Sequence, residues 1–461
     1  MLNRKDNLDF ERKLEFGLQR CRYIGNVNIL PLIRRKIKFK YLNSVDNERY
    51  QTNFTSRNFS DFFKVLFWSF KSLFGFFSLF FLREKEFLFL GFSRRVVQKD
   101  GLNKDIFHDD LIQFLGKDKC LMIEKPFKLS HSKNRFTICP IIDYDFFMYF
   151  SLFFSYVAVP FVLIRYSKEI NQIVLSINNE FSRQIISHLE LAVAYSSFSI
   201  DKNISVLFLK LLSPKKLILT SRWLHYPFIH AANSMGIDTV ELQHGCIMND
   251  NFFYCDFDET QFNVSKVLTF SRFWNNRKWN AASVVSIGVT GKDGLSIPEF
   301  RCDRVLVISQ PEESKLLNID LFNLAISNNH IKFNVRLHPQ DITGYKHRYA
   351  KLIALPNVTF LDSSIKSVST DLCQHTLVVG YTSSVLFEAY DIGCSVGLLA
   401  NDQKRIDFLT AYHDLAISCF HVINPHDKLT HTVFCRKEMN LKFFDEFNQS
   451  EISRVFYEKT I

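Results

Sequence analysis

The stretch Thr376–Leu399, TLVVGYTSSVLFEAYDIGCSVGLL, decides the fold. Leu377-Val378-Val379 is a short apolar run of the kind buried in a parallel sheet. Gly380 and the polar cluster Thr382-Ser383-Ser384 break it. Val385, Leu386, Ala389 and Ile392 then fall on one face of a helix that Gly393 closes. Val396 to Leu399 forms the next strand. The unit is strand, loop, helix, strand, with two hydroxyls at the helix entrance. Hydroxyls and free backbone N–H groups there suit an anion, most naturally a phosphate, and Glu388 sits within reach of a ribose or sugar hydroxyl beside it. Taken alone, the same residues also describe an N-capping serine and a solvated glutamate.

The alternation continues upstream. Arg304 to Ile308, Phe333 to Leu337 and Val358 to Leu361 read as strands, with helices expected over Glu313 to Ile326 and Ile365 to Leu372. Gly288 to Asp303 has no periodicity and carries Gly291, Gly294 and Pro298, which marks a linker. Its GVTGKDG is not the GxGxxG of a dinucleotide site. Before it, strands are expected at Phe87 to Gly91, Cys120 to Ile123, Lys216 to Thr220, Thr239 to Leu242, Val267 to Phe270 and Val284 to Ile287. Helices are expected at Asp109 to Leu115, Gln184 to Tyr195 and Phe228 to Met235. This pattern predicts an α/β protein of two doubly wound domains facing across a cleft. The expected organisation is a basic, Phe-rich N-terminal segment over 1–83, a first domain over 84–290, a linker over 291–303 and a second domain over 304–461.

Composition agrees. A chain of 461 residues suits two cores of roughly 100–200 residues each. Hydrophobic residues at 47% and charged residues at 23% exclude a disordered chain. The net charge of +10 points to an anionic partner, and no nucleic-acid-binding module is visible. The ten cysteines form no CxxC pair, so they read as reduced thiols and not as a disulfide frame or zinc site. The N-terminus, MLNRKDNLDFERKLEF, lacks the apolar core of a secretory signal.

The N-terminal region is less regular. The basic cluster Arg34, Arg35, Lys36, Lys38 and Lys40 reads as part of a solvated, peripheral segment. Phe62 to Leu82 is apolar but interrupted by Lys64 and Lys71, seven residues apart and so on one helical face. That suits a helix lying in a membrane interface, or a buried helix with snorkelling lysines. Phe146 to Ile164 runs nineteen residues without a charge, long enough to span a bilayer. Ser151, Ser155, Pro160 and the folded regions on either side instead favour a buried helix, with a membrane-dipping surface as the alternative.

Three motifs fall at strand ends, where such sheets bind ligands. In Glu241-Leu242-Gln243-His244-Gly245, Gly245 permits a tight turn, and His244 can donate to a phosphate or sugar hydroxyl or act as a base. In Arg336-Leu337-His338-Pro339, the proline fixes the turn. Alternation places Arg336 and His338 side by side as donors suited to a diphosphate or a sugar carboxylate. The third is Ser383-Ser384 with Glu388.

ELQHG, then RLHP about ninety residues on, then GYTSSVLFEAYDIG about forty further, resemble the GT-B glycosyltransferases of bacterial capsule and lipopolysaccharide assembly, in particular sialyl- and polysialyltransferase-like enzymes. The resemblance covers Lys215 to Leu399 and implies a GT-B fold of two Rossmann-like domains. It also implies that His338 and Pro339 contact the donor nucleotide, Ser383 and Ser384 its phosphate, and Glu388 the ribose. Arg336 would help neutralise the leaving nucleotide. His244, with Gln243 beside it, is the expected catalytic group near the reacting sugar. The implied co-substrate is a nucleotide-sugar, with no further cofactor and no bound metal, and the acceptor is a glycan or lipid-linked glycan. The expected location is cytoplasmic, peripheral on the inner face of the cytoplasmic membrane, where the basic and Phe-rich segments would meet an anionic surface. The acidic, Gly-terminated tripeptide of those sialyltransferases does not occur; His108-Asp109-Asp110 lacks the glycine. The donor sugar and the base therefore stay open. So do a nucleotide-sugar 2-epimerase, a CDP-polyol phosphotransferase and a non-catalytic scaffold of polysaccharide assembly.

Overall fold

Continuous runs of branched and aliphatic residues become the central strands of two parallel sheets, because burial on both faces leaves no place for polar alternation. The computed structural model describes residues 10, 13–14, 17–18, 21–45, 59–78, 82, 85–92, 95–97, 101–126, 129, 131–132, 134–136, 139–247, 260–289, 297–339, 341–342, 344–363 and 366–458. The first sheet contains β1 (Phe87–Phe92), β2 (Cys120–Lys125), β3 (Ile141–Asp143), β4 (Lys216–Thr220), β5 (Asp238–Leu242), β6 (Val264–Thr269) and β7 (Ala281–Ser286). Their order is β7-β6-β5-β4-β1-β2-β3. The second contains β8 (Arg304–Ile308), β9 (Lys332–Arg336), β10 (Val358–Leu361), β11 (Leu377–Gly380), β12 (Ser395–Leu399) and β13 (His421–Ile423), in the order β10-β9-β8-β11-β12-β13. Neighbouring strands pair in parallel throughout both sheets. Counted from its own first strand, the second sheet runs 3-2-1-4-5-6, and the first runs the same way with a seventh strand beyond the sixth. That doubly wound order has its topological switch point between strands 1 and 4, here β1/β4 and β8/β11.

The helices that matter for the site are α1 (Leu30–Val45), α2 (Phe59–Phe77), α3 (Asp109–Leu115), α4 (Asp145–Arg165), α5 (His188–Leu212), α6 (Tyr226–Ser234), α7 (Ser314–Ser327), α8 (Val385–Ile392) and α9 (Gln449–Tyr457). α5 opens on a capping box between Ser187 and Glu190 and is longer than its sequence pattern suggested. α8 buries Leu386, Phe387, Ala389, Tyr390 and Ile392, and Gly393 ends it at φ +106°.

The basic N-terminal region is not a solvated appendage. Ile24, Val27, Ile29, Ile33 and Ile37 are buried in the same core as Leu88, Leu121 and Leu217 of the first sheet. The basic residues of α1 hid the apolar spacing that anchors it. α2 and α4 pack on each other through Phe76 and Phe147, whose rings lie 4.9 Å apart. α4 presents only one stripe inward (Phe147, Ser151, Ser155 and Val159), so it is neither a fully buried helix nor free to leave the domain.

Between the halves the chain passes twice. Of the linker expected at 291–303, residues 291–296 lie outside the described residues. On the outward pass, Gly288 has φ +75°, and a Cβ there would sit 2.0 Å from the Glu446 carbonyl oxygen, so the returning strand touches bare backbone. Val289 N–H donates to Asp445 O (3.0 Å), and Asn448 N–H donates to Ile287 O (2.8 Å). The return ends in α9, at the far end of the 304–461 segment. α9 lies on the first sheet, with Ile452, Val455 and Phe456 packed among Phe87, Phe89, Ile218 and Val240. Two doubly wound halves joined by this double pass are the GT-B fold.

The halves meet edge to edge. The loop Arg272–Asn276 leaves the carboxyl end of β6, and its Trp274 is fully buried. Trp274 Nε1–H donates to Phe443 O (2.6 Å), and its ring lies 5.6 Å from Phe387 on α8, which leaves the carboxyl end of β11. The carboxyl edges of the two sheets therefore confront each other.

Candidate functional site

In the second domain, Ser309 and Gln310 follow directly on β8 at the switch point, and each holds one predicted motif. Ser309 Oγ accepts the His338 N–H (2.9 Å) and donates to Asp341 Oδ2 (2.7 Å). Asp341 is fully buried; it also accepts from the Tyr349 hydroxyl (3.1 Å) and pairs with Arg348 (3.2 Å). This network sets the turn that carries His338, which is half-buried, and Pro339, which is exposed. Gln310 Oε1 accepts both the N–H and the hydroxyl of Thr382, each at 3.1 Å. The neutral His413, whose pKa burial lowers to about 4, donates Nε2–H to Tyr381 O (2.6 Å) and braces the same turn.

Within the Ser pair the roles divide. Ser383 Oγ accepts the Val385 N–H at 3.3 Å and acts as a local cap. Ser384 stands at the start of α8, is exposed, and makes no capping bond to the helix. Glu388 lies in the first turn of α8, half-buried. His338, Ser383 and Ser384 are thus tied to one switch point through two consecutive residues.

Arg336 does not join them. Its guanidinium pairs with buried Asp371 and donates to Lys366 O at 2.7 Å, so it secures the loop after β10 and is not offered to a ligand beside His338. The expectation that it stands next to His338 rested on strand alternation, but β9 ends at Arg336 and His338 lies in the following loop.

In the first domain, Gln243 is buried and its amide is spent on backbone. Nε2 donates to Gly245 O (2.8 Å), and Oε1 accepts the Phe270 N–H (2.9 Å). It is a clamp joining the turns after β5 and β6, so its placement is that of a positioning residue and not of a reacting group. His244 is half-buried beside Phe107, ring centroids 6.4 Å apart. Below it Glu241 is fully buried, and Arg222 Nε donates to it at 2.5 Å. The acidic pair after His108 is also committed: Asp109 pairs with Arg95 (3.3 Å) and Asp110 with Lys104 (2.5 Å).

A buried charge cluster at the carboxyl ends of β2 and β3 has no counterpart among the sequence motifs. His131 Nε2 lies 2.7 Å from Asp145, and its Nδ1 lies 3.3 Å from Glu124 and 3.2 Å from Asp143. Arg95 meets Glu124 at 2.8 Å, and Arg135 meets Glu124 at 3.1 Å and Asp143 at 3.2 Å. Burial pulls the His131 imidazolium down, but its bonds to Asp145 and Glu124 and the Asp143 charge more than reverse this, raising its pKa to about 9. Burial likewise pushes Glu124 up, while the His131 bond and the charges of Arg135 and Arg95 carry it down to about 2. Glu124, His131 and Asp143 converge closely enough to hold a metal ion, their ligand atoms lying within 4.8 Å of one another. Arg95, Arg135 and Lys71 already occupy the cation positions around them, so the cluster is self-compensated.

A cavity of about 940 Å³ lies at the hinge, walled by Arg272, Arg277, Asp414, Lys442, Asp445 and Arg454. None of the eight residues nominated from sequence is among its described lining.

No family model matches the chain, and no curated protein matches it. Solved structures do. The chain is similar to Acinetobacter baumannii MurG at 11% identity, covering 76% of this chain and 89% of that one, with a TM-score of 0.39. It is also similar to the UDP-GlcNAc 2-epimerase of Methanocaldococcus jannaschii, at 10% identity over 80% and 98% of the two chains and a TM-score of 0.43. The lipopolysaccharide outer core galactosyltransferase WaaB matches at 12% identity over 68% and 80%, with a TM-score of 0.40. The fold rests on the strand order described above, and the function on the site.

Proposed function

We propose that this chain is a glycosyltransferase that moves a sugar from a nucleotide-activated donor to a surface-polysaccharide acceptor, of the capsule or lipopolysaccharide kind, at the inner face of the cytoplasmic membrane. The observation that carries the reading is the pairing of Ser309 with the His338 turn and of Gln310 with the Thr382–Ser384 turn at one switch point. In this reading the donor phosphate sits at the start of α8, met by its backbone N–H groups and the Ser384 hydroxyl. His338 and Pro339 contact the nucleotide, and Glu388 holds the ribose. The charge that develops on the leaving nucleotide is met by the helix dipole and His338 instead of a bound metal. His244, on the facing edge, lies beside the reacting sugar, and Gln243 fixes the turn that presents it.

A nucleotide-sugar 2-epimerase of the same architecture would need no acceptor. The outward aromatic surface of α2 and α4 favours a transferase that meets its acceptor at a membrane. The test is a thermal-shift series with CMP, UDP, GDP and CDP. A ligand at 100 times its Kd adds about 2.7 kcal/mol of stability. Absence of any shift overturns the enzyme reading. A shift that persists in His338→Ala/Ser384→Ala overturns the site. Conversion of the bound nucleotide-sugar without acceptor identifies an epimerase, and transfer of a polyol phosphate from a CDP-linked donor identifies a phosphotransferase.

A further inference from the structure

α2 and α4 are built inside out for a protein in water. On α2, Phe63, Phe67, Phe70, Phe74 and Phe77 recur at spacings of four and three, which is one helical stripe, and each is between 54% and 73% exposed. The side turned inward mixes polar Ser72 with Trp68 and Phe76. Ser72 is buried and donates to Asp143 O, while its Oγ accepts the Phe146 N–H at 3.2 Å. Trp68 lies 4.6 Å from His131, and Lys71 reaches Asp143 at 3.0 Å.

α4 repeats the inversion. Ser151 and Ser155 point into the domain, while Phe153, Tyr156, Val157, Phe161 and Ile164 point out, the last two at 72% and 79% exposure. Of its most apolar window only 22% is buried. The two helices pack against each other through Phe76 and Phe147, so the two exposed stripes sit on neighbouring elements. Water penalises an apolar patch of this extent, and such patches mark docking sites.

We propose that the outer faces of α2 and α4 are a docking surface for an anionic lipid bilayer, which seats the carboxyl edge of the first sheet beside the lipid headgroups. Charge selects this occupant over a second copy of the chain. Arg165 and Lys168 are exposed next to the aromatic stripe of α4, Lys64 and Lys71 on α2 being paired with Asp61 and Asp143, and the chain carries a net charge of +10, so two copies would repel where an acidic headgroup layer attracts. The helices lie on the bilayer and do not cross it, because the serine stripe of α4 is packed into the domain. The inner residues of α2 hold Asp143 and His131 at the ends of β3 and β2, so the contact lies at the edge where an acceptor would enter. This deepens the placement of the acceptor at a membrane and does not depend on which nucleotide is bound.

The experiment is co-sedimentation of the full chain with phosphatidylcholine vesicles and with phosphatidylcholine–phosphatidylglycerol vesicles. The wild type should pellet with the anionic vesicles and release as salt rises. Phe67→Ser/Phe70→Ser/Phe74→Ser should lose roughly tenfold or more of that partitioning, with its thermal midpoint and nucleotide-induced shift retained. Phe161→Ser supplies an independent variant on the other helix. A wild type that stays in the supernatant, or variants that pellet as it does, overturns the proposal. So does a lipid-free dimer that the same substitutions dissociate, since the face then belongs to a second copy. Nucleotide shifts measured on the same samples report on the donor site separately.

Discussion

The two sheets share one winding order, yet their carboxyl edges are furnished in opposite ways. The first edge stores charge: Arg95, Glu124, His131, Arg135, Asp143 and Asp145 neutralise one another in a cluster that is buried apart from part of Arg135. The second edge keeps its ion pairs, Asp341 with Arg348 and Arg336 with Asp371, beside small neutral groups, with Ser309, Gln310, Thr382 and Ser383 bonded into two turns and Ser384 left exposed. A buried ion cluster fixes geometry but has little left to give a ligand, because desolvation and pairing have consumed its field. An edge of hydroxyls and helix N–H groups keeps its polarity for an incoming anion. The same topology thus supplies one half whose strand ends are locked and another whose strand ends are open for binding.

That contrast can be broken in graded steps. The largest effect is expected from Glu124→Ala, which strips Arg95, Arg135 and His131 of a shared buried partner. Loss of about 3–5 kcal/mol is expected from denaturant unfolding, and a change under 1 kcal/mol would mean the cluster is hydrated. Next is pH. The folded-state pKa of His131, about 9, lies above its unfolded value, so its contribution is full below about pH 6.5 and fades as pH rises through 9. The wild type should lose on the order of 3 kcal/mol across that window, and His131→Gln should show a flatter profile. Glu124, held near 2, acts on the acid side, its contribution fading as pH falls from about 4.5 toward 2.

Smaller effects belong to the second edge. Ser309→Ala removes the bond to the His338 N–H and should cost about 1–2 kcal/mol, together with weakened nucleotide binding measured by calorimetry. Ser384→Ala should leave stability within about 0.5 kcal/mol while weakening nucleotide binding roughly tenfold, the value of one good hydrogen bond to a charged group. If Ser384→Ala instead costs well over 1 kcal/mol of stability while the folded variant binds nucleotide as the wild type does, the open edge is structural after all.

Sequence reading recovered what is local. Apolar runs such as Leu377-Val378-Val379 and Val305-Leu306-Val307 declare buried parallel strands, and Gly393 declares the end of α8. The His338 and Ser383/Ser384 turns were legible because proline and clustered hydroxyls punctuate strand ends. What escaped was relational. Alternation carries no information past the end of β9, so the pairing of Arg336 with Asp371 was invisible. Glu124, His131 and Asp143 meet only because β2 and β3 are neighbours in space. A Phe stripe shows that α2 is amphipathic but not which side faces the protein. The basic residues of α1 masked the spacing of Ile33 and Ile37. Ser309-Gln310-Pro311, a polar pair then a proline directly after an apolar strand, was the one available signal for the residues that tie the second site together.

The placement of α9 sets the order in which the protein can be made. Phe87, Phe89 and Ile218 belong to the first half of the chain, but part of their cover is supplied by Ile452, Val455 and Phe456. While the ribosome is still producing the second sheet, that apolar floor stays open, and its cover must wait until α9 itself has been made. Nascent chains stalled before Gln449 should therefore engage chaperones that the finished protein no longer needs.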